Sequence, residues 1–164
     1  MNNDVFLFSD VRDISPLISI LSHIAVCGPQ LDEVRMLYST KIPTNGSKPA
    51  DMLFVPRLLD IFSGSTYVKG HLQLFLTGTW DHSTIQSNHI ASFLDNCGKI
   101  ESVSAFSRRP SNTDLLDAAG RSRDERAGTV YYVCGPPDMT DSLVQFFLDQ
   151  EGVSPEQVLC EKWW

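Results

Sequence analysis

Paired cysteines, long apolar runs and positive charge are all scarce in this chain of 164 residues. Cys27, Cys97, Cys134 and Cys160 stand singly, with no Cys-x-x-Cys pair, which argues against a zinc knuckle or a dithiol redox centre and for reduced thiols. No apolar stretch approaches the roughly 20 residues that span a bilayer, so no membrane partner is expected. The Met-Asn-Asn-Asp opening shows neither a secretory signal nor an Arg-rich transit pattern, and an intracellular protein, or a fragment that has lost its targeting segment, is expected. Lys and Arg number 13 against 20 Asp and Glu, a net charge of -7, which excludes nucleic acid because phosphate backbones demand a basic face. His82 and His89 have no partner spacing for zinc or a catalytic triad, so no metal site is expected. Asn45-Gly46-Ser47 matches a glycosylation sequon but reads as a turn where no secretory signal precedes it.

What is present fits one globular domain over residues 1–164. Hydrophobic content of 42% and charged content of 20% suffice to bury a core without disulfides or metals. The stretch Thr129 to Leu143 organises the rest: Thr-Val-Tyr-Tyr-Val reads as a buried strand, and Met139, Leu143, Phe146 and Phe147 recur at helical spacing after it. Cys134, Gly135 and Pro136 sit at the joint, the carboxyl end of a strand, where open α/β sheets bind ligands. Gly135 leaves room for something flat against the backbone, and Pro136-Pro137 fixes the turn. The plainer alternative is a buried cysteine followed by a simple turn.

Further strands are expected over Asp4–Phe8, Glu33–Ser39, Leu72–Thr77, Ile100–Ser107 and Val158–Lys162. Between them lie a helix from Ser15, with Ser15 as its cap and Pro16 in its first turn, and a helical pattern over Ala50–Phe62. Pro56 either kinks that second pattern or starts a new short helix. Ile85–Cys97 and the Leu115-Leu116 region read as helices, and Arg121–Arg126 as a mobile charged loop. The alternation predicts a doubly wound α/β domain with a mostly parallel sheet and helices on both faces.

Several motifs in chain order carry a family likeness: Ser15-Pro16-Leu17-Ile18, Leu37-Tyr38-Ser39-Thr40-Lys41, Leu74-Phe75-Leu76-Thr77-Gly78, Cys134-Gly135-Pro136-Pro137-Asp138-Met139 and the ending Cys160-Glu161-Lys162-Trp163-Trp164. Together they resemble the NAD(P)-binding domain of the ferredoxin-NADP reductase superfamily. Glu-Lys-Trp-Trp looks most like the oxidoreductase NAD-binding-domain-containing proteins. The resemblance implies that NAD(P)H is the cofactor, with Cys134 beside the nicotinamide, flanked by Gly135 and Pro136. It implies that Ser15 and Pro16 follow the pyrophosphate turn, and that Thr77 and Gly78 line the cleft. Ser39 and Lys41, at the end of the second strand, suit a 2′-phosphate, and Arg108 and Arg109 the adenosine phosphate; the alternative for each pair is a solvated strand end or turn. Glu161 and Trp164 resemble the carboxyl-terminal glutamate and flavin-stacking aromatic of the plant-type relatives, the alternative for the tryptophans being packing on the sheet edge.

Two departures qualify this reading. Asp10, Val11 and Asp13 stand where the family has glycines, so side chains obstruct close phosphate approach and two carboxylates repel it. Arg12 can offset part of that repulsion. No segment corresponds to the flavin-binding barrel, so FAD is expected only if another domain or chain supplies it, and the isolated chain is expected to be inactive. The function implied is an NAD(P)H-binding domain that presents nicotinamide to a flavin, with a flavin domain or an electron-acceptor protein as partner. The competing expectation is a truncated or diverged non-catalytic module with weak or no nucleotide binding, acting through protein partners. The resemblance implies mitochondria as the compartment, with the cytoplasm as the alternative.

Overall fold

The computed structural model describes residues 3–10, 14–28, 31–42, 52–78 and 88–162. Six strands form one sheet: β1 (Asp4–Asp10), β2 (Glu33–Lys41), β3 (Gly70–Thr77), β4 (Val103–Phe106), β5 (Thr129–Gly135) and β6 (Val158–Lys162). Helices α1 (Ser15–Cys27), α2 (Val55–Gly64), α3 (Asn88–Cys97), α4 (Asn112–Ala119), α5 (Arg123–Ala127) and α6 (Pro137–Leu148) are described between them, and a 3₁₀ turn at Pro155–Gln157 leads into β6. The spatial order is β4-β3-β2-β1-β5-β6, and every neighbouring pair is parallel. The chain therefore steps outward from β1 to β4 and returns to lay β5 on the other side of β1. That reversal between β1 and β5 is the topological switch point, beside which open α/β sheets place their ligands.

The sheet is buried on both faces because its strands alternate apolar residues toward each. Leu7, Met36, Tyr38, Leu72, Leu74 and Leu76 pack with α1 (Leu17, Leu21, Ile24) and α2 (Val55, Leu58, Phe62). Phe6, Phe8, Leu37, Phe75, Tyr131 and Val133 pack with α4 (Leu115, Ala119) and α6 (Leu143, Phe147) on the other face. Phe6, Tyr131 and Phe147 form the centre of that second layer, with ring centroids 4.9 to 5.9 Å apart.

Local chemistry corrects several expected boundaries. Ile14, not Ser15, occupies the cap position of α1 and makes no side-chain cap bond; Ser15 is already helical, and its carbonyl accepts from the Ser19 hydroxyl. Pro16 does lie in the first turn. Gly28 ends α1 in the left-handed conformation (φ 57°), its N–H reaching the Ile24 carbonyl at 3.0 Å, while the Tyr67 ring covers the space a side chain would need. Pro56 starts α2 rather than kinking a longer helix. The charged run expected as a loop is helical over Arg123–Ala127, because the Ser122 hydroxyl accepts from the Glu125 N–H. Strand β4 is shorter than expected, since Ile100 to Val103 closes a turn through a 2.9 Å backbone bond.

At the amino edge of the sheet, Arg35 on β2 donates to Asp4 on β1 at 2.9 Å and to Thr129 on β5 at 3.3 Å. All three are buried, so the network clamps the central strands together. Among the described residues no helix is long and apolar enough to cross a membrane, and no group of three His, Cys, Asp or Glu side chains is placed to hold a metal ion.

Candidate functional site

Parallel pairing brings the carboxyl ends of β1, β2 and β3 level, with Asp10 opposite Ser39 and Lys41 opposite Thr77. These residues, with Arg109 from the segment after β4, form the polar part of a cavity of about 510 Å³. Phe8, Pro110, Leu115, Pro136, Met139 and Leu143 form its apolar wall. The size lies within the roughly 300–1,000 Å³ of small-molecule sites. Among the described residues its lining carries two cations, Lys41 and Arg109, and one carboxylate, Asp10. In a chain of net charge -7 this is a locally positive hollow.

Of the residues singled out from the sequence, Ser39, Lys41, Thr77, Arg109 and Pro136 come together in this cavity. The adjacent arginines separate. Arg108 donates to Asp114 through both terminal guanidinium nitrogens, one contact at 2.8 Å, and lies over the Phe75 and Phe106 rings at 5.4 and 4.8 Å. Asp114 also accepts from the Ser111 N–H at 2.7 Å and closes the capping box that starts α4. The Arg108 bond, then the Ser111 bonds, hold the Asp114 carboxyl well below its ordinary range. Arg108 thus fastens α4 to the sheet, and Arg109 faces the cavity.

Cys134 is fully buried on the α1 side of β5, and Gly135 ends that strand. A side chain at Gly135 would collide with the terminal methyl of Met139, so Met139 fills the space against this backbone. The Thr140 hydroxyl donates to the Gly135 carbonyl at 3.0 Å and pins the start of α6 to the strand end. Glu161 on β6 is in register with Cys134, and its carboxylate accepts from the Tyr132 phenol. Gly78 lies exposed just past β3, and Ser15 and Pro16 begin α1; none of the three lines the cavity. Val11, Arg12, Asp13, Trp163 and Trp164 lie outside the described residues. Asp10, expected in the turn, is instead the last residue of β1 and part of the cavity.

Sequence reasoning missed Phe8, Leu115, Met139 and Leu143 as cavity wall, since at helical or strand spacing they read as core.

No protein-family model matches the chain. It is 29% identical to the Bos taurus oxidoreductase NAD-binding domain-containing protein 1, over 92% of this chain and 43% of that protein. The chain therefore spans less than half the length of this relative. Its fold is similar to the CS-b5R domains of human Ncb5or in the NAD+ form, with TM-score 0.62 and 16% identity over 97% of this chain and 36% of that one. The FAD/NAD-binding domain of Vibrio cholerae nitric oxide dioxygenase gives TM-score 0.59 and 13% identity over 99% of this chain and 51% of that one. The cytochrome b5 reductase domain of Ulva prolifera nitrate reductase gives 0.55 and 18% over 98% and 50%. The chain shares the α/β fold of these reductase domains, the doubly wound parallel sheet that the alternation of strands and helices predicts.

Proposed function

We propose that this domain binds NADPH at the carboxyl edge of its sheet and presents the nicotinamide to a flavin held by another domain or chain. The observation that carries the reading is the cavity at the switch point, with Lys41 and Arg109 both facing it. In doubly wound folds an acidic residue near the end of the second strand takes the ribose 2′-hydroxyl of NAD, while a cation there suits the 2′-phosphate of NADP. Ser39-Thr40-Lys41 supplies a hydroxyl and a cation and no acid. The residues present therefore fit the phosphorylated cofactor: Lys41, Ser39 and Arg109 for the adenosine end, and Phe8, Pro110 and Leu115 as an apolar bed for a flat ring.

Bound there, the cofactor would supply a hydride at C4 of its nicotinamide, and the chain's task is to bind, orient and shield. Cys134 and Glu161, in register across β5 and β6, mark the expected nicotinamide end. Hydride transfer needs its acceptor about 3–3.5 Å away, so FAD or another acceptor must come from a separate domain or chain. Trp164 belongs to that proposal as the aromatic that meets the flavin. A mitochondrial location, with the cytoplasm as alternative, is proposed from the family likeness and is checked by imaging the tagged protein.

One observation favours a second reading, a diverged module with weak or no nucleotide binding that acts through protein partners. Asp10 puts a carboxylate into the cavity beside the expected pyrophosphate turn. Calorimetric titration with NADPH and NADH separates the two. The first reading predicts micromolar NADPH binding, at least tenfold tighter than NADH, with the preference abolished by Lys41→Ala plus Arg109→Ala. No heat at millimolar ligand from folded protein would establish the second.

A further inference from the structure

The Tyr132–Glu161 pair joins the last two strands just below the sheet's carboxyl edge. In register Tyr132 lies opposite Leu159, and Cys134 opposite Glu161. The phenol therefore reaches diagonally past its own partner, toward the strand end, to donate to Glu161 Oε1. Burial first, then the bond to Glu161, raises the Tyr132 phenol above its ordinary value, so it remains a protonated donor throughout the neutral range. Tyr132 packs on the same layer as Cys134, which fixes the ring and with it the position of the hydroxyl. Among the described residues no cation pairs with Glu161; the neighbouring Lys162 pairs with Asp141 on α6 instead. Glu161 is the penultimate residue of an edge strand, where a glutamate without such a tie samples several rotamers.

We infer that Tyr132 is a positioning residue, whose phenol holds one oxygen of Glu161 so that the carboxylate is set to meet the nicotinamide half of the cofactor beside Cys134. The inference rests on the cofactor reading above and deepens it. A carboxylate accepts from a carboxamide N–H, the polar group that the nicotinamide ring carries, and holding the acceptor in one orientation beforehand lowers the ordering cost of that contact. A purely structural role, locking β6 onto β5, would serve both halves of the cofactor alike. The two roles therefore differ in what they do to a ligand that lacks nicotinamide.

The test is a calorimetric comparison of NADPH with adenosine 2′,5′-bisphosphate, which keeps the adenosine end and its 2′-phosphate. Tyr132→Phe retains the ring and removes the hydroxyl. It is expected to weaken NADPH about three- to tenfold, the range of one lost hydrogen bond, and to leave the bisphosphate unchanged. Glu161→Gln is expected to give at least as large a loss for NADPH alone, and the double variant no more than Glu161→Gln, because Tyr132 acts through Glu161. Unchanged NADPH affinity in Tyr132→Phe, or equal weakening of both ligands, would overturn the positioning role while leaving the cofactor reading intact. Failure of the unmodified chain to bind either ligand would overturn the cofactor reading and the positioning role with it.

Discussion

The two edges of the sheet hold hollows of nearly equal size and opposite character. At the amino edge a cleft of about 530 Å³ is lined by Asp4, Asp32, Glu33 and Glu125 against Arg35 and Lys69. At the carboxyl edge the cavity of about 510 Å³ sets Lys41 and Arg109 against Asp10. Volume does not distinguish them; charge does. Arg35 is also committed to Asp4 and Thr129 inside the protein, whereas Lys41 is exposed at a strand end. A cation thus serves the fold at one edge and lines a solvent-facing cavity at the other, and buried partners decide which.

The largest expected effect comes from breaking the amino edge. Asp4→Ala leaves the buried Arg35 guanidinium only its longer, half-exposed 3.5 Å pair with Glu33 and should cost about 3 kcal/mol in urea unfolding. Replacing both partners, with Asp4→Leu and Arg35→Met, should recover most of that loss. A double variant as unstable as Asp4→Ala would show that the clamp acts through something other than its paired charges.

The next test concerns the sheet between the edges. Tyr38 and Tyr131 are buried, one on each face, and burial pushes both phenols up to about 12 from an ordinary value of 10.0. Tyr38 donates to the Leu53 carbonyl at 3.0 Å and Tyr131 to the Ala119 carbonyl at 2.8 Å. Because the folded state disfavours their ionisation, their contribution is complete below pH 10 and is lost as pH rises through about 12. Stability measured against pH should be level through the mildly alkaline range and then fall in one cooperative transition. The Tyr131→Phe variant should show a shallower alkaline fall; an unchanged slope would count against this assignment.

Smaller effects belong to the carboxyl edge. Arg109→Ala should weaken NADPH about tenfold, equivalent to about 1.4 kcal/mol, with no change in unfolding. Arg108→Ala should do the reverse, lowering stability with little effect on affinity, because its guanidinium is bound to Asp114 and covers Phe75 and Phe106. The Asp114 carboxyl is held low by that bond, so the contribution is present above the ordinary carboxylate range and lost in acid. The smallest effect is expected from Lys99→Ala, which removes an exposed pair with Asp95 and should change stability by less than about 0.5 kcal/mol.

Much of the fold was legible because its strands are apolar on both faces and its turns carry Gly and Pro. Thr129–Val133 reads as a strand from composition alone, with Cys134 and Gly135 completing it, and Pro137 and the Met139, Leu143, Phe147 spacing read as the helix after it. Short elements were harder. Arg123–Ala127 has no apolar stripe, and only Ser122 followed by Glu125 signals its start. The site was legible where topology does the work, since the ends of β1, β2 and β3 must converge in a doubly wound sheet. It was not legible where one side chain's partner lies on another element. Nothing local separates Arg108 from Arg109; the difference lies in Asp114, whose own signature, Ser111-x-x-Asp114, is a capping box. Gly135 shows the same limit, since the Met139 methyl that fills its space follows from the packing of α6 and not from the Cys-Gly-Pro-Pro motif.

The contrast between the edges is tested most directly by recording backbone amide NMR spectra of the chain while adenosine 2′,5′-bisphosphate is added. The account predicts that the shifting resonances cluster at Asp10, Ser39, Lys41, Thr77 and Arg109, with Asp32, Glu33 and Lys69 unmoved. Shifts centred on the amino-edge cleft, or none at millimolar ligand, would contradict it.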